Sequence, residues 1–313
     1  MGRELVIGVD GGGTRSQGVL VGVDGECLRR TDGGALNYNT MPHAEFVRNL
    51  EALIDELLVG ATLGTCVRTV VGTAALFHQA TVEEKAKVLS GVDLDRLGDV
   101  SLVGDAVTAV SGAARGMGAT LVVAGTGSIV VSQDNDGAVA FAGGLGPLIG
   151  GDPGSAFWMA CKAIQEVQRR QVQTGEVGNL GRTLFGFFEV RDLFELVAQV
   201  YRDPSGRQKV AALAQTLAAS SDPEVVEPWR RIEVRAGQEL ADQVSGLVSR
   251  STPAGEVVFV SGSVLRKNQR VRDALADSLS RNHGLTVRLE EPAFDAAMGA
   301  AFIALREVRR AGA

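Results

Sequence analysis

Apolar residues recur along the chain in two rhythms, short runs that fit strands and longer stretches at helical spacing. Leu5-Val6-Ile7-Gly8-Val9 is a short, β-branched apolar run and predicts a buried strand. Ser16–Val23 reads as a second strand, Asp24-Gly25 as a hairpin turn and Glu26–Thr31 as a third, returning strand. Pro42 lies near the start of a helix that runs to about Leu58, with Phe46, Leu50, Leu53, Ile54 and Leu57 as its apolar stripe. Val67–Thr73 predicts a strand, Val82–Ser90 a helix, Val100–Asp105 a strand and Ala106–Ala114 a small-residue helix. The expected order is β-β-β-α-β-α-β-α.

The same logic returns about 115 residues later. Thr120–Ala124 is an apolar strand, Gly125-Thr126-Gly127-Ser128 a glycine turn and Ile129–Ser132 a strand. Asp134-Asn135-Asp136-Gly137 is a hairpin turn before the strand Ala138–Ala142. Pro153 to about Arg250 is mostly helical, with helices expected at Ser155–Gln173, Arg191–Tyr201, Gln208–Ala219 and Glu227–Ser249. Glu256–Ser261 is a buried strand opening on Gly262-Ser263-Val264, followed by a helix over about Asn268–Arg281, a strand at Thr286–Glu290 and a helix at Phe294–Arg309. The repeat predicts two similar α/β halves, 1–117 plus 295–313 and 118–294, with hinges near Gly116–Ala119 and where the last helix crosses back.

Composition narrows the class. A chain of 313 residues, 45% hydrophobic and 22% charged, has ample material for globular cores in two domains. A net charge of −6 and no basic block argue against nucleic acid as a partner; Arg306, Arg309 and Arg310 read as a solvated helix end. Gly116–Gln133 is uncharged, but its Gly, Ser and Thr content favours buried strands over a membrane span. Cys27, Cys66 and Cys161 are odd in number and far apart, which suits a reducing cytoplasm, and the N-terminus lacks the pattern of a signal peptide.

The chemistry concentrates in the glycine turns. Asp10 ends the first strand and Gly11-Gly12-Gly13-Thr14 follow at once. Glycines between two strands let backbone amides approach an anion, and a carboxylate beside them can hold a hard cation. A tight structural hairpin is the competing reading. The dinucleotide fingerprint is excluded because a strand, not a helix, follows the glycines, and no phosphate loop ending Gly-Lys-Ser/Thr occurs. No Gly-x-Ser-x-Gly elbow or His-Glu-x-x-His is present, and His43, His78 and His283 match no motif.

Asp10–Thr14, Gly125–Ser128, Gly151-Asp152-Pro153-Gly154-Ser155-Ala156-Phe157-Trp158 and Gly262-Ser263-Val264 occur in the order found in the N-acetylglucosamine kinase branch of the sugar kinase/Hsp70/actin superfamily, and the chain resembles that branch over nearly its whole length. The benzoyl-CoA reductase activator type of ATPase domain shares the pattern. The resemblance implies a duplicated ribonuclease H-like, actin-like ATPase fold, with two lobes around a nucleotide cleft. It implies an ATP-dependent kinase that phosphorylates the 6-hydroxyl of N-acetylglucosamine, glucosamine or N-acetylmuramic acid.

Residue by residue, it makes Asp105 the catalytic base for the sugar hydroxyl and Asp10 the Mg2+ residue, acting through water. Gly11, Gly12, Gly13, Thr14, Gly125, Thr126, Gly127 and Ser128 would grip the ATP phosphates, and Gly262 and Ser263 would pass beneath the adenine or ribose. Asn37, Asp105, Gly146 and Asp152 would bind the sugar. Mg2+ and ATP, a sugar acceptor, a homodimer and a cytoplasmic location are expected, with neither nucleic acid nor membrane as partner. Each role has a plainer rival: Asp105 as the cap of the next helix, Asn37 as a turn former, Asp152 as an N-cap before Pro153, Gly262-Ser263 as a simple strand-to-helix turn.

The chain departs from the family at Leu145, where Trp is common, at the additional glycine of Gly150-Gly151 and at Pro153, where Glu is usual. All three lie in the sugar-side loop. The alternatives are an ATPase activator, which would need closely placed cysteines for an iron–sulfur cluster, and a non-catalytic sugar or nucleotide sensor. No helix-turn-helix precedes Leu5 in this sequence, against a repressor version of the sensor.

Overall fold

The computed structural model describes residues 3–59, 64–74, 76, 80–248 and 257–312. His78, the end of the helix expected to reach Ser249 and the first residue of the strand expected from Glu256 lie outside the described residues. The chain opens with β1 (Arg3–Gly11), β2 (Ser16–Gly22), β3 (Cys27–Gly33), α1 (His43–Leu58), β4 (Gly64–Thr73), α2 (Val82–Leu89), β5 (Asp99–Gly104) and α3 (Asp105–Ala113). There follow β6 (Ala119–Ala124), β7 (Ser128–Gln133), β8 (Val139–Gly143), α4 (Gly146–Ile149), α5 (Ala156–Thr174), α6 (Gly178–Phe188), α7 (Leu193–Arg202), α8 (Gly206–Ala218) and α9 (Pro223–Val248). The last elements are β9 (Val257–Ser261), α10 (Ser263–Lys267), α11 (Gln269–His283), β10 (Arg288–Glu290) and α12 (Ala296–Ala311).

Two five-stranded sheets result, ordered β3-β2-β1-β4-β5 and, read from the opposite edge, β8-β7-β6-β9-β10. The second repeats the first position for position, so the duplication expected from the glycine turns is present in the topology. β1 pairs antiparallel with β2 and parallel with β4, and β4 pairs parallel with β5. The chain divides into unit 1 (Met1–Ala119, Val131–Val139, Glu291–Ala313) and unit 2 (Thr120–Val130, Ala140–Glu290). Among the described residues no helix is long and apolar enough to cross a membrane, and Gly116–Gln133 supplies β6 and β7.

Strand periodicity explains unit 1. Leu5, Ile7 and Val9 join Leu20, Phe46, Leu50 and Leu53 in one apolar cluster, whereas Val6 joins Val19, Val70, Ala297 and Ala301 in another. Both faces of the sheet are therefore buried, as alternation along a central strand requires. α12 lies close on β1 because the facing residues are small. A Cβ added to Gly8 would sit 2.4 Å from the Ala297 carbonyl oxygen, and one on Gly299 would sit 1.9 Å from that of Thr108 in α3.

Unit 2 packs its helices around Val122, Val130, Trp158, Met159, Leu184 and Leu240. Four elements there, α4, α6, α9 and α10, differ from the expected pattern; α4 is a single turn, Gly146–Ile149, where no helix is expected. α6 was not among the expected helices, since Gly178, Gly181 and Gly186 weaken local propensity; buried Leu180, Leu184 and Phe188 hold it. α9 begins at Pro223 rather than Glu227 and carries Pro228 inside, where burial of Val225 and Trp229 offsets the missing donor. α10 forms directly after Gly262, ahead of the helix expected from Asn268.

The glycine contacts are measurable by urea unfolding. Gly299→Ala is expected to destabilise the protein by about 2–3 kcal/mol or more, because backbone rather than a flexible side chain must move. Gly186→Ala, with nothing within 4 Å of the added Cβ, is expected to raise stability by about 0.5–1 kcal/mol.

Candidate functional site

In unit 1 the parallel register fixes the site. Asp10 of β1 stands opposite Gly72 of β4, Gly11 opposite Thr73, and Thr73 opposite Gly104 of β5. Asp10 and Asp105 therefore emerge at the carboxyl ends of strands two positions apart, roughly 10 Å from each other at the usual strand spacing. This is the edge at which open α/β sheets bind ligands. Asp105 does not end β5 as the sequence suggested. Gly104 takes the extended N-cap conformation and Asp105 is the first residue of α3, its Oδ1 accepting the Ala106 N–H at 2.8 Å. It spends one lone pair at the helix start without being the cap.

Gly11 is needed for packing: a Cβ there would fall 2.7 Å from Leu36 Cβ and 2.8 Å from the Gly72 carbonyl oxygen. The turn beyond it closes through Gly12 N–H to the Arg15 carbonyl oxygen at 3.0 Å, while Gly13, Thr14 and Arg15 are exposed. Leu36 N–H donates to the Gly12 carbonyl oxygen and carries the Asn37 loop against this turn, with Asn37 Nδ2 3.7 Å from the Cβ position of Gly13. Asn37 Oδ1 accepts the Asn39 N–H at 3.1 Å, so the turn-forming role is real and leaves the amide nitrogen for other work.

Carboxylates crowd this edge. Asp295 caps α12 by accepting the Met298 N–H at 3.0 Å and pairs with Arg30. Loss of water around Asp10, then the charges of Asp105 and Asp295, push its carboxyl up from 3.8 to about 6, with Arg15 opposing. Asp105 is exposed by area, yet the protein around it displaces enough water to raise its carboxyl as well, and the Ala106 N–H opposes the rise. No side-chain hydrogen bond satisfies the Asp10 carboxylate among the described residues. A mutually repelling set of this kind fits a hydrated cation, although among the described residues no group of three His, Cys, Asp or Glu converges tightly enough to cage a metal ion directly.

In unit 2 the turn Gly125–Ser128 is framed by two other segments. Gly125 N–H donates to the Gly127 carbonyl oxygen at 2.9 Å, Ala156 N–H to that of Gly125 at 2.8 Å, and Ser128 Oγ to that of Pro153 at 2.8 Å. Gly262, at φ +90°, lies so close to β6 that a Cβ would sit 2.2 Å from the Ala124 carbonyl oxygen, and Ser263 Oγ lies 3.7 Å from the Cβ position of Gly125. A cleft of about 260 Å³ opens beside these residues, lined by Thr126, Gln208, Ala211, Gln215, Trp229 and Ser263. The Trp229 indole N–H is buried without a partner among the described residues.

Asp152 is 3% exposed and holds a left-handed backbone at φ +46°. It is not the N-cap of the following helix: Ser155 takes that role, its Oγ accepting the Trp158 N–H. Burial raises the Asp152 carboxyl, opposed by Arg207 and by the Gly146 N–H. Gly127 leaves room for it, since a Cβ there would be 2.8 Å from Asp152 Oδ2. Sequence reasoning missed Arg207, which sits in a helix carrying no motif, and Asp295, whose only local signal is its place before the apolar run of α12.

Two copies of a strand–glycine turn–strand sheet, each with crossover helices, define a duplicated ribonuclease H-like α/β fold of the actin-like ATPase kind. Residues 7–304 match the model of the BadF/BadG/BcrA/BcrD ATPase family, and the chain belongs to that family. Curated relatives include an N-acetylmuramic acid/N-acetylglucosamine kinase of Clostridium acetobutylicum, 28% identical over 310 residues and covering 97% of this chain and 99% of that protein. An N-acetyl-D-glucosamine kinase of Dictyostelium discoideum is 26% identical over 320 residues, with 97% and 99% covered. In fold the chain is similar to a candidate N-acetylglucosamine kinase from Chromobacterium violaceum, with TM-score 0.68 at 24% identity and 97% and 99% coverage. The ROK hexokinase of Thermus thermophilus follows at TM-score 0.59 and 15% identity, with 96% and 98% covered.

The raised Asp10 carboxyl has a definite sign. Between its usual 3.8 and about 6 the folded state holds a proton that the unfolded chain releases. Stability linked to this group is therefore intact below the lower value and lost as pH rises through the upper one. Asp10→Asn, without divalent cations, is expected to gain on the order of 1–3 kcal/mol at about pH 7.5 and nothing near pH 3.5. Urea unfolding at both pH values checks it.

Proposed function

We propose that the protein transfers the terminal phosphoryl group of ATP to the 6-hydroxyl of an amino sugar, N-acetylglucosamine or a close relative such as glucosamine or N-acetylmuramic acid. The observation that carries the reading is Asp105: a carboxylate at the carboxyl edge of the parallel strands, raised above its ordinary value, in a chain similar from end to end to amino-sugar kinases. A carboxylate held against the acceptor accepts a hydroxyl proton as the oxygen attacks phosphorus. Asp105 fills that role, and its hydrogen bond from Ala106 fixes the orientation of its second oxygen.

Phosphoryl transfer asks the protein mainly for position and charge. In unit 1 the exposed amides of Gly13 and Thr14 donate to phosphate oxygens, Gly12 closing the turn that presents them, and Asn37 donates its amide nitrogen to a sugar hydroxyl. In unit 2 Thr126, Gly127 and Ser128 supply further phosphate donors. The base and ribose occupy the cleft beside Gly262 and Ser263, with the Trp229 N–H as a donor. Asp10 is the residue to hold Mg2+ through water; the ion, when bound, neutralises charge on the phosphates. The segment Gly146–Asp152 selects the acceptor, and Leu145 and Pro153 tune that choice.

The family's ATPase description favours one competing outcome, ATP hydrolysis without transfer. A coupled ADP-release assay across N-acetylglucosamine, glucosamine, N-acetylmuramic acid and glucose, with phosphosugar detection, separates the two. Acceptor-dependent turnover and a 6-phosphate product are expected; ADP release indifferent to every sugar would sink the kinase reading. Asp105→Asn is expected to lower kcat by about 100- to 10,000-fold while the KM for ATP changes by less than about threefold.

A further inference from the structure

The Asp152 carboxylate is met by Arg207 on a single, loose contact. Nη2 donates to Oδ2 at 3.3 Å, well beyond the distance of a strong charge-assisted bond, and no other hydrogen bond to the Arg207 side chain occurs among the described residues. The guanidinium carries five N–H donors and 44% of the side chain is exposed. Most of its hydrogen-bonding capacity is unspent.

Its position is set firmly. Arg207 is the second residue of α8, and Gly206 before it packs on α7 so closely that a Cβ would lie 2.2 Å from the Val200 carbonyl oxygen. Lys209, two residues further on, pairs with Asp203 at 2.6 Å. The guanidinium therefore stays beside the glycine turn, its Nη2 3.1 Å from the Cβ position of Gly127. The next turns of the same helix, through Gln208, Ala211 and Gln215, line the cleft shared by Thr126 and Ser263. Arg207 thus stands where the cleft runs into the turn, on the side of the turn that a side chain at position 127 would fill.

We propose that Arg207 is a nucleotide-phosphate ligand: it keeps its contact with Asp152 and donates its remaining N–H groups to phosphate oxygens of the nucleotide held at Gly125–Ser128. The inference rests on the kinase reading only for the nucleotide in this cleft and is independent of the acceptor. A planar, permanently charged fork suits phosphate, and its loose contact with Asp152 leaves it free to tilt toward an anion without losing the carboxylate. Asp152, 3% exposed, in turn holds Arg207 at the turn.

Binding of ATP, ADP and adenosine by calorimetry tests this, with thermal unfolding as the control for folding. Arg207→Met is expected to weaken ATP by about 10- to 100-fold and to leave adenosine within about twofold, with Arg207→Lys between Met and the wild type for ATP. The double variant Asp152→Asn/Arg207→Met removes the uncompensated carboxylate and is expected to remain as weak for ATP as the single Met variant. Restored ATP affinity in the double variant would reduce Arg207 to a partner for Asp152 and overturn the proposal, as would equal losses for ATP and adenosine or an unchanged ATP affinity. If the wild type binds ATP but phosphorylates no sugar, the kinase reading fails and this inference stands; if the wild type binds no ATP, both fall.

Discussion

The missing Cβ at a few glycines is the constraint on which the rest depends. At Gly8 it lets α12 settle onto the central strand, at Gly11 it admits Leu36 beneath the first turn, and at Gly262 it brings a helix start against β6. At Gly127 it makes room for the buried Asp152 carboxylate and its half-exposed partner Arg207. At Gly8, Gly11 and Gly262 the contacts are with backbone or with a Cβ fixed to it, so a methyl group there could be accommodated only by moving main chain. The sheets supply the frame, but these close approaches decide where the frame's polar ends point.

What those ends carry is charge held at some cost. Asp10 stands at a strand terminus with Asp105 and Asp295 as neighbours and only Arg15 in opposition. Such an arrangement lowers stability, the trade commonly found where activity and stability compete. Unit 2 meets the converse problem. Its buried carboxylate, Asp152, is opposed in part by Arg207 and by the Gly146 N–H, while burial still raises it.

Much of this was legible in the residues. The apolar run Leu5–Val9 and the turn signals Asp24-Gly25 and Asp134–Gly137 placed the hairpins, and the order of strands and helices in the first half follows from them. The repeat was visible because both copies needed the same punctuation. The helical insertion was less readable: α6 is rich in glycine and is held by burial, a tertiary effect that local propensity does not carry. Arg207 was invisible for a related reason. It lies 55 residues from Asp152, and only the fold brings the two together. The strand expected to end at Asp105 stops one residue sooner, because a carboxylate after Gly104 serves equally as the end of a strand or the first residue of a helix.

The place of α12 in the chain bears on how the protein is made. It follows every element of unit 2, yet its alanines cover the face of the first sheet formed by Val6, Val19, Val21 and Val70. On the ribosome that valine-lined surface is synthesised early and stays incompletely covered while nearly all of the remaining chain emerges. Nascent chains of this topology present an incompletely covered apolar sheet to solvent for most of translation, a surface for chaperones to shield until the closing helix leaves the exit tunnel.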